Sequence, residues 1–132
     1  MIRFRVYGAP EGQGSMKVIN GRVIHDNPRT RRWRDCITAQ ALRAVRATID
    51  EPVWVEAVFW LEKPLRPRWG VPATVKDLDK LTRALGDALS PRHGRRPLSN
   101  DARICGWSVE KRWADRDNDP GVLVTIRKEH ER

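Results

Sequence analysis

The sequence predicts an α+β fold in which a mixed β-sheet of about four main strands packs against two helices, with a small N-terminal hairpin. Two kinds of pattern lead to this class. Several segments alternate apolar and polar residues or are rich in β-branched and aromatic residues, as strands are, whereas two others carry apolar residues at helical spacing. With 132 residues the chain can bury one core, so we expect a single domain over residues 1–132.

The first strand and the hairpin are predicted within the first 25 residues. Ile2, Phe4 and Val6 alternate with polar side chains, which is typical of a strand with one buried face. The turn GAPEGQGS follows, but no helix opens directly after its glycines, so we predict a flexible turn, no phosphate-cradling loop and no organic cofactor. In MKVINGRVIH, the Asn20-Gly21 dipeptide favours a tight hairpin turn.

A long amphipathic helix is predicted to begin at Asn27-Pro28, with Asn as N-cap and Pro in the first turn. Its apolar stripe consists of Trp33, Ile37, Ala41, Ala44 and Val45. Its first turns carry the arginines Arg29, Arg31, Arg32 and Arg34. Cations at this end oppose the helix dipole and cost stability unless anions bind. A solvated basic face and a surface that follows phosphates are both compatible with this pattern.

The segment PVWVEAVFWLEKP, between Pro52 and Pro64, has the composition of a strand in the middle of a sheet. Trp54 and Trp60 share one of its faces, and packing in a core or a dimer is favoured over stacking on bases. A proline-rich connector over residues 65–74 follows. The segments RICGWSVEKRW and GVLVTIRK predict the closing strands, the first from Arg103 to Trp113.

Charge and cysteine content narrow the function classes. The chain has 26 Lys and Arg against 17 Asp and Glu, a formal charge of +9, so a polyanionic partner, first of all nucleic acid, is expected. No apolar run approaches the roughly eighteen residues of a membrane span, and no membrane partner is predicted. Cys36 and Cys105 lack metal-type spacing and are predicted to be small, buried or half-buried thiols of a cytoplasmic protein.

Two aspartates in TVKDLDKLTRALGDAL stand out in so basic a chain. The apolar stripe of Leu78, Leu81, Leu85, Ala88 and Leu89 places the helix start near Asp79, with Lys76–Asp79 extended. Residues two apart point to nearly opposite sides of a helix but to one side of an extended chain, so Asp77 and Asp79 are expected on one side. One carboxylate suffices for capping. Two adjacent carboxylates repel unless a cation lies between them, and such oxygen ligands suit Mg²⁺ or Mn²⁺. Ion pairs with Lys76, Lys80 or Arg83 are the alternative.

A third acid is expected to join them. The basic loop PRHGRRPLSNDARI, Pro91 to Ile104, contains Asp101 just before a strand, where a carboxylate beside a helix mouth would complete a site for a hard metal. Arg83 follows Asp79 by four residues, and Asp87 follows Arg83 by four, so these three side chains are predicted to lie along one helical face.

The segments DLDKLTRALGDAL and SNDARI resemble the RusA-like Holliday-junction resolvases, small dimeric endonucleases of bacteria and their phages. The resemblance spans most of the chain and implies a homodimer in the cytoplasm of a bacterial or phage-infected cell. It implies that Asp77, Asp79 and Asp101 bind catalytic Mg²⁺, with Mn²⁺ as a substitute. The implied reaction is symmetric phosphodiester hydrolysis in a four-way junction, leaving 5′-phosphate and 3′-hydroxyl ends.

Three positions depart from the family pattern. Arg83 replaces a lysine, Lys80 an asparagine and Asn100 an aspartate. Arg83 stays cationic but does not exchange protons at neutral pH, so the expected role is electrostatic. Lys111 resembles a family position that approaches the scissile phosphate. The residues expected to contact DNA are Lys76, Lys80, Arg29, Arg31, Arg32, Arg34, Arg92, Arg95 and Arg96.

Two other functions remain open from the sequence. In a non-catalytic DNA-binding protein, Asp77 and Asp79 would form internal ion pairs while the arginine-rich helix binds phosphates. Alternatively, the chain would be a Mg²⁺-dependent nuclease for branched DNA in general.

Overall fold

The computed structural model describes residues 1–14, 17–24 and 27–132. Six strands and two α-helices follow one another as β1 (Ile2–Tyr7), β2 (Lys17–Ile19), β3 (Arg22–Ile24), α1 (Pro28–Ala44), β4 (Val53–Leu61), α2 (Leu78–Leu89), β5 (Ile104–Trp113) and β6 (Gly121–Lys128). Short 3₁₀ turns precede β5 and follow β6. The predicted α+β class is confirmed.

The main sheet has four strands in the order β1-β6-β4-β5. β4 and β5 are parallel, whereas β6 is antiparallel to both β1 and β4, so the predicted mixed sheet and the inner position of β4 are confirmed. Parallel neighbours need a crossover connection, and α2 forms it between β4 and β5. This topology brings the start of β5 close to the helix that precedes it in the chain.

Both helices cover one face of the sheet. Odd-numbered residues of β4, from Val53 to Phe59, are buried in one cluster with Ile37 of α1 and with Leu81 and Leu85 of α2. Residues two apart share a face of a strand, so the even-numbered residues of β4 lie on the opposite face. The apolar stripes that the sequence predicts on both helices therefore form the core with this one face.

Trp54 and Trp60 share one face of β4, as predicted, and that face is the one opposite the helices. The guanidinium of Arg132 lies 4.4 Å from the ring centre of Trp54, and that of Arg5 lies 4.7 Å from the ring of Trp60. Contacts of this length are favourable cation–π interactions. Among the described residues, neither tryptophan belongs to the cluster between sheet and helices, so packing in that core, one of the two possibilities favoured by the sequence, is not observed.

Helix α1 starts as its sequence predicts. The Asn27 side chain accepts a hydrogen bond from the amide of Thr30 at 2.8 Å, and Pro28 occupies the first turn. At the other end, Arg95 donates to the carbonyls of Leu42 and Val45. A cation at a helix C-terminus is favourable because carbonyl oxygens are exposed there.

Helix α2 begins earlier than predicted. Leu78 is its first residue and Asp77 its N-cap, while Lys76 has a φ of 52°, in the left-handed region. The expectation of extended backbone over Lys76–Asp79 is therefore wrong except at Asp77. The amide of Leu81 already bonds to the Asp77 carbonyl at 3.1 Å, so the helix encloses Asp79. Strand β5, by contrast, begins at Ile104, one residue later than the predicted start at Arg103.

The hairpin prediction is confirmed, and both cysteines are free as predicted, but their predicted burial is wrong. β2 pairs with β3, and Asn20 and Gly21 both have positive φ, as a tight hairpin turn requires. Cys36 and Cys105 are both exposed free thiols. Cys36 precedes the buried Ile37 on α1 and so lies off the apolar stripe, and Cys105 lies on an edge strand. No described helix is long and apolar enough to cross a membrane.

Candidate active site

A pocket of about 300 Å³ lies between α2 and the beginning of β5. It is lined by Asp79, Thr82, Arg83, Gly86, Asp87, Asp101, Ile104 and Trp107. The residues of α2 that line it are spaced three or four apart, which puts them on one face of the helix. The crossover between the parallel strands thus brings Asp79 and Asp101, 22 positions apart in the sequence, to the same pocket.

The helical side of the pocket carries alternating charges. Asp79, Arg83 and Asp87 follow each other at four-residue intervals, and all three line the pocket, as their spacing predicts. Arg83 is exposed and Asp87 is half-buried. With two carboxylates and one guanidinium, this wall keeps a net charge of −1 and has oxygen ligands for a cation.

Asp101 begins the 3₁₀ turn that leads into β5. The Asn100 side chain caps this turn by accepting from the amide of Ala102 at 2.8 Å. Asn100 therefore has a structural contact at the position where the family pattern has an acid. The cap fixes the backbone on which Asp101 approaches the pocket.

The loop before Asp101 is tied to the segment that follows α1. Ile49 and Leu98 form a parallel bridge, with the Ser99 amide bonded to the Ile49 carbonyl at 2.9 Å. The Asp50 carboxylate accepts from the Ser99 hydroxyl and from Arg103 Nε. These hydrogen bonds, with the positive charge of Arg103, hold the pKa of Asp50 below its usual value.

Asp77 is oriented differently from Asp79. Its side chain makes no capping hydrogen bond and does not line the pocket. Instead, Lys80 Nζ lies 3.5 Å from Asp77 Oδ2, with 67% of the Asp77 side chain exposed. The ion-pair alternative from the sequence is thus observed for Asp77. Across residues 1–14, 17–24 and 27–132, no group of three or more His, Cys, Asp or Glu side chains lies close enough to bind one metal ion.

The donor set of the pocket nevertheless suits magnesium. Mg²⁺ in phosphate-processing sites is held by one or two carboxylates, with waters and substrate phosphate oxygens completing its shell. Asp79 and Asp101 supply two carboxylates at one pocket, and Asp87 lines it as well. These hard oxygen ligands fit Mg²⁺ or Mn²⁺ better than softer metals.

Lys111 contacts the backbone that leads into the acidic segment. Its Nζ donates to the carbonyl of Val75 at 3.1 Å and to that of Lys76 at 2.9 Å. The Lys76 side chain in turn pairs with Glu11 at 2.7 Å. Lys111 therefore fixes the turn directly before Asp77, where Lys76 adopts its left-handed conformation.

A larger cleft of about 780 Å³ adjoins the pocket and shares Asp87 and Asp101 with it. Three of the arginines predicted to bind DNA line this cleft, namely Arg34, Arg92 and Arg96. Arg34 donates to the Gln13 side chain at 2.8 Å, and Arg96 donates to the Ser99 carbonyl at 3.1 Å. Asp35, Asp87 and Asp101 line the cleft as well, so it carries charges of both signs, with three arginines on the way to Asp101.

The other predicted DNA contacts lie elsewhere. Arg29 and Arg32 line a third pocket of about 360 Å³ that also includes Tyr7 and Trp33. Arg31 is exposed on α1. The guanidinium of Arg95, as described above, caps the C-terminus of that helix.

Sequence reasoning missed Trp107 and Gln13 as site residues. Trp107 belongs to a strand, and no local pattern shows that a strand residue meets the glycine face of a helix. Gln13 lies in the turn that was expected to be flexible. Its backbone N–H donates to the Lys80 carbonyl, and the Thr30 hydroxyl donates to the Gly12 carbonyl. The glycine at position 12 is the available signal, because a Cβ there would lie 2.9 Å from Lys80 Cβ.

Comparison with known proteins agrees with this arrangement. The family model described as endodeoxyribonuclease RusA matches residues 8–127, which include α1, α2 and both acidic segments. No curated protein matches the chain. With a match over nearly the whole sequence, and with the family's acidic helix and its pre-strand aspartate meeting at one pocket, the chain belongs to the RusA endodeoxyribonuclease family.

Proposed function

We propose that this protein is a Mg²⁺-dependent endonuclease that resolves four-way DNA junctions as a homodimer. The observation that carries the proposal is the meeting of Asp79, Arg83 and Asp101 at one pocket, in a chain of the RusA family. The adjoining cleft would give a DNA strand a route to that pocket along which three arginines can contact its phosphates.

The reaction would be hydrolysis of one phosphodiester bond. Water adds to phosphorus, the bond to the 3′ oxygen breaks, and the departing oxygen takes up a proton, which leaves 5′-phosphate and 3′-hydroxyl ends. Bound Mg²⁺ would supply a Lewis acid that activates water and offsets charge on the phosphoryl oxygens.

The residues of the chain have separate parts in this proposal. Asp79 and Asp101 would hold the ion. Asp77 would join them once the Lys80 side chain leaves Asp77 and pairs with a DNA phosphate instead. Arg83 lies between Asp79 and Asp87 on α2 and would stabilise the additional negative charge of the transition state. Lys111 would position the turn before Asp77 through its two carbonyl contacts.

A homodimer follows from the symmetry of the proposed substrate. A four-way junction presents two equivalent opposed strands, and a two-fold dimer would place one active site at each. Light scattering of the protein bound to one junction is expected to give two chains per DNA, whereas a single chain would refute the dimer.

The proposal is tested with an end-labelled four-way junction, with and without Mg²⁺. Asp101→Asn and Asp79→Asn are expected to lower the cleavage rate by at least about 10- to 100-fold, the loss that removing even an outer-shell partner of a metal ligand causes. Asp117→Asn, an exposed aspartate on the turn between β5 and β6, is the matched control and should cleave normally. Cleavage that persists in both site variants would overturn the proposal. Flap and linear duplex substrates decide whether junctions are preferred over other branched DNA.

One observation favours a second candidate, a non-catalytic DNA-binding protein. Asp77 is neutralised by Lys80, as such a protein would require. A non-catalytic protein of this kind would bind the four-way DNA junction with high affinity in the same assay but would not cleave it at any concentration of Mg²⁺ or Mn²⁺.

A further inference from the structure

Trp107 is an aromatic wall of the active-site pocket. It lines the pocket together with Asp79 and Asp101, and 40% of the residue is exposed. Trp107 pairs in register with Val55 of β4, which is a core residue, so its side chain lies on the helix-covered face of the sheet. A large apolar side chain thus remains partly open to solvent beside the acidic residues.

The indole is supported by α2. Its Cζ2 atom lies 3.5 Å from the position that a Cβ would take on Gly86. Glycine inside a helix is unfavourable by about 1 kcal/mol relative to alanine, but here it lets the ring lie close to the helix backbone. The ring is therefore held by a strand on one side and a helix on the other.

Trp107 differs from the other exposed aromatic residues. In the described part of the chain, Tyr7 is covered by the guanidinium of Arg5 at 4.4 Å, and Trp69 by that of Arg68 at 5.1 Å. No described cation stacks on Trp107. Its open surface is therefore available to another planar group, and the pocket beside it is small and lined by polar and charged residues.

We propose that Trp107 stacks on the base of the nucleotide next to the scissile phosphate and thereby positions that phosphate at Asp79 and Asp101. Stacking on an aromatic side chain recognises any unpaired base, because every base has a π-face. Trp107 is thus a positioning residue, and bases freed from pairing near a branch point are its ligands. This inference rests on the proposed function.

Binding of a four-way junction without divalent ions isolates this contact from cleavage. Trp107→Leu, which keeps apolar bulk but removes the ring, should weaken binding roughly 5- to 100-fold, the range that one stacked base contributes. Trp107→Phe should restore part of the affinity. Trp69→Leu, at a tryptophan that is 52% exposed, is the matched control and should bind like wild type.

Abasic sites placed one at a time around the cleaved bond then locate the stacked base. At that position the missing base should weaken wild-type binding but leave Trp107→Leu unchanged, because the two changes remove the same contact. A fluorescent 2-aminopurine at that position should be quenched by wild type and less by Trp107→Leu. A role in folding alone would produce neither effect.

Equal binding by wild type and Trp107→Leu would overturn the inference, as would abasic penalties that are the same in both proteins. Conversion of a dimer to a monomer by Trp107→Leu would also overturn it, since the ring would then belong to a subunit interface. If Trp107→Leu cleaves normally while Asp101→Asn is inactive, the stacking proposal is refuted and the proposed nuclease function is supported. If wild type shows the abasic-site and 2-aminopurine effects but never cleaves, the proposed nuclease function is refuted and the contact between Trp107 and a base is supported.

Discussion

At the residue scale, two aspartates in one short motif have different surroundings. Asp79 lies in the first turn of α2 and lines the pocket, whereas Asp77 is the N-cap and pairs with Lys80. The two side chains point in different directions because the helix starts at Leu78, between them. Each step along a helix rotates the side-chain direction by about 100°. Only a rearrangement of the Asp77–Lys80 pair would bring both carboxylates to one ion.

Asp77→Asn separates a functional role of this carboxylate from a structural one. An ion pair between exposed side chains contributes about 0.2–1 kcal/mol, so the free energy of unfolding should fall by no more than about 1 kcal/mol. If Asp77 joins the metal site, cleavage should fall by at least about 10- to 100-fold in the same variant. Urea denaturation and single-turnover cleavage measure the two effects. Normal cleavage by Asp77→Asn would remove Asp77 from the site.

At the element scale, the candidate site depends on how the turns are fastened. The turn after β1 contacts the first turn of α2, and the loop before β5 is tied to the segment after α1. Neither fastening has a local sequence pattern, because each joins residues far apart in the chain.

Gly12→Ala tests the first contact. The added Cβ would lie 2.9 Å from Lys80 Cβ, which is too close, so the turn or the helix must move. We expect a loss of about 1–3 kcal/mol in the free energy of unfolding, the usual cost of overpacking. Gly14→Ala, whose Cβ would meet nothing within 4 Å, is the control and should differ little from wild type. Equal stabilities by urea denaturation would contradict the contact.

Asp50→Asn tests the second through its pH dependence. Because the hydrogen bonds from Ser99 and Arg103 lower the pKa of Asp50 in the folded state, its contribution is present above its ordinary value of 3.8. That contribution is lost as the pH falls through the lowered folded-state pKa. The difference in free energy of unfolding between wild type and Asp50→Asn should therefore be constant near neutral pH and should shrink as the pH falls below about 4. A difference that persists unchanged to pH 2 would contradict this role.

The sequence predicts the elements of this fold better than their ends. The period-2 pattern of β1 and the leucines of α2 show directly which faces are buried, because burial sets those periods. The start of α2 was missed because Lys76 takes a left-handed conformation beside carbonyls that Lys111, 35 residues away, contacts. Asp101 was assigned by motif resemblance, while Trp107 depends on a packing contact with Gly86 that no local pattern encodes.

At the scale of the whole molecule, positive charge is distributed unevenly around the acids. Arg34, Arg92 and Arg96 border the cleft that reaches Asp101, whereas Arg3 and Arg5 belong to the sheet face opposite the helices. If DNA follows the cleft, only the first group neutralises its phosphates.

The salt dependence of junction binding measures this difference. Each neutralised phosphate contributes about 0.9 to the slope of log K against log salt concentration. Arg92→Gln should reduce that slope by about 1, because its guanidinium lies at an exposed edge of the cleft. Arg3→Gln, on the opposite face, should leave the slope unchanged. The reverse result would place the DNA on the open face of the sheet.

The most direct test of the metal site is anomalous diffraction from crystals of the protein grown with Mn²⁺ and an uncleaved junction. We expect an anomalous peak in the pocket, within about 2.3 Å of carboxylate oxygens of both Asp79 and Asp101 and of a phosphate oxygen. A well-ordered junction with no peak between these two aspartates, or with the ion bound at other residues, would contradict the account.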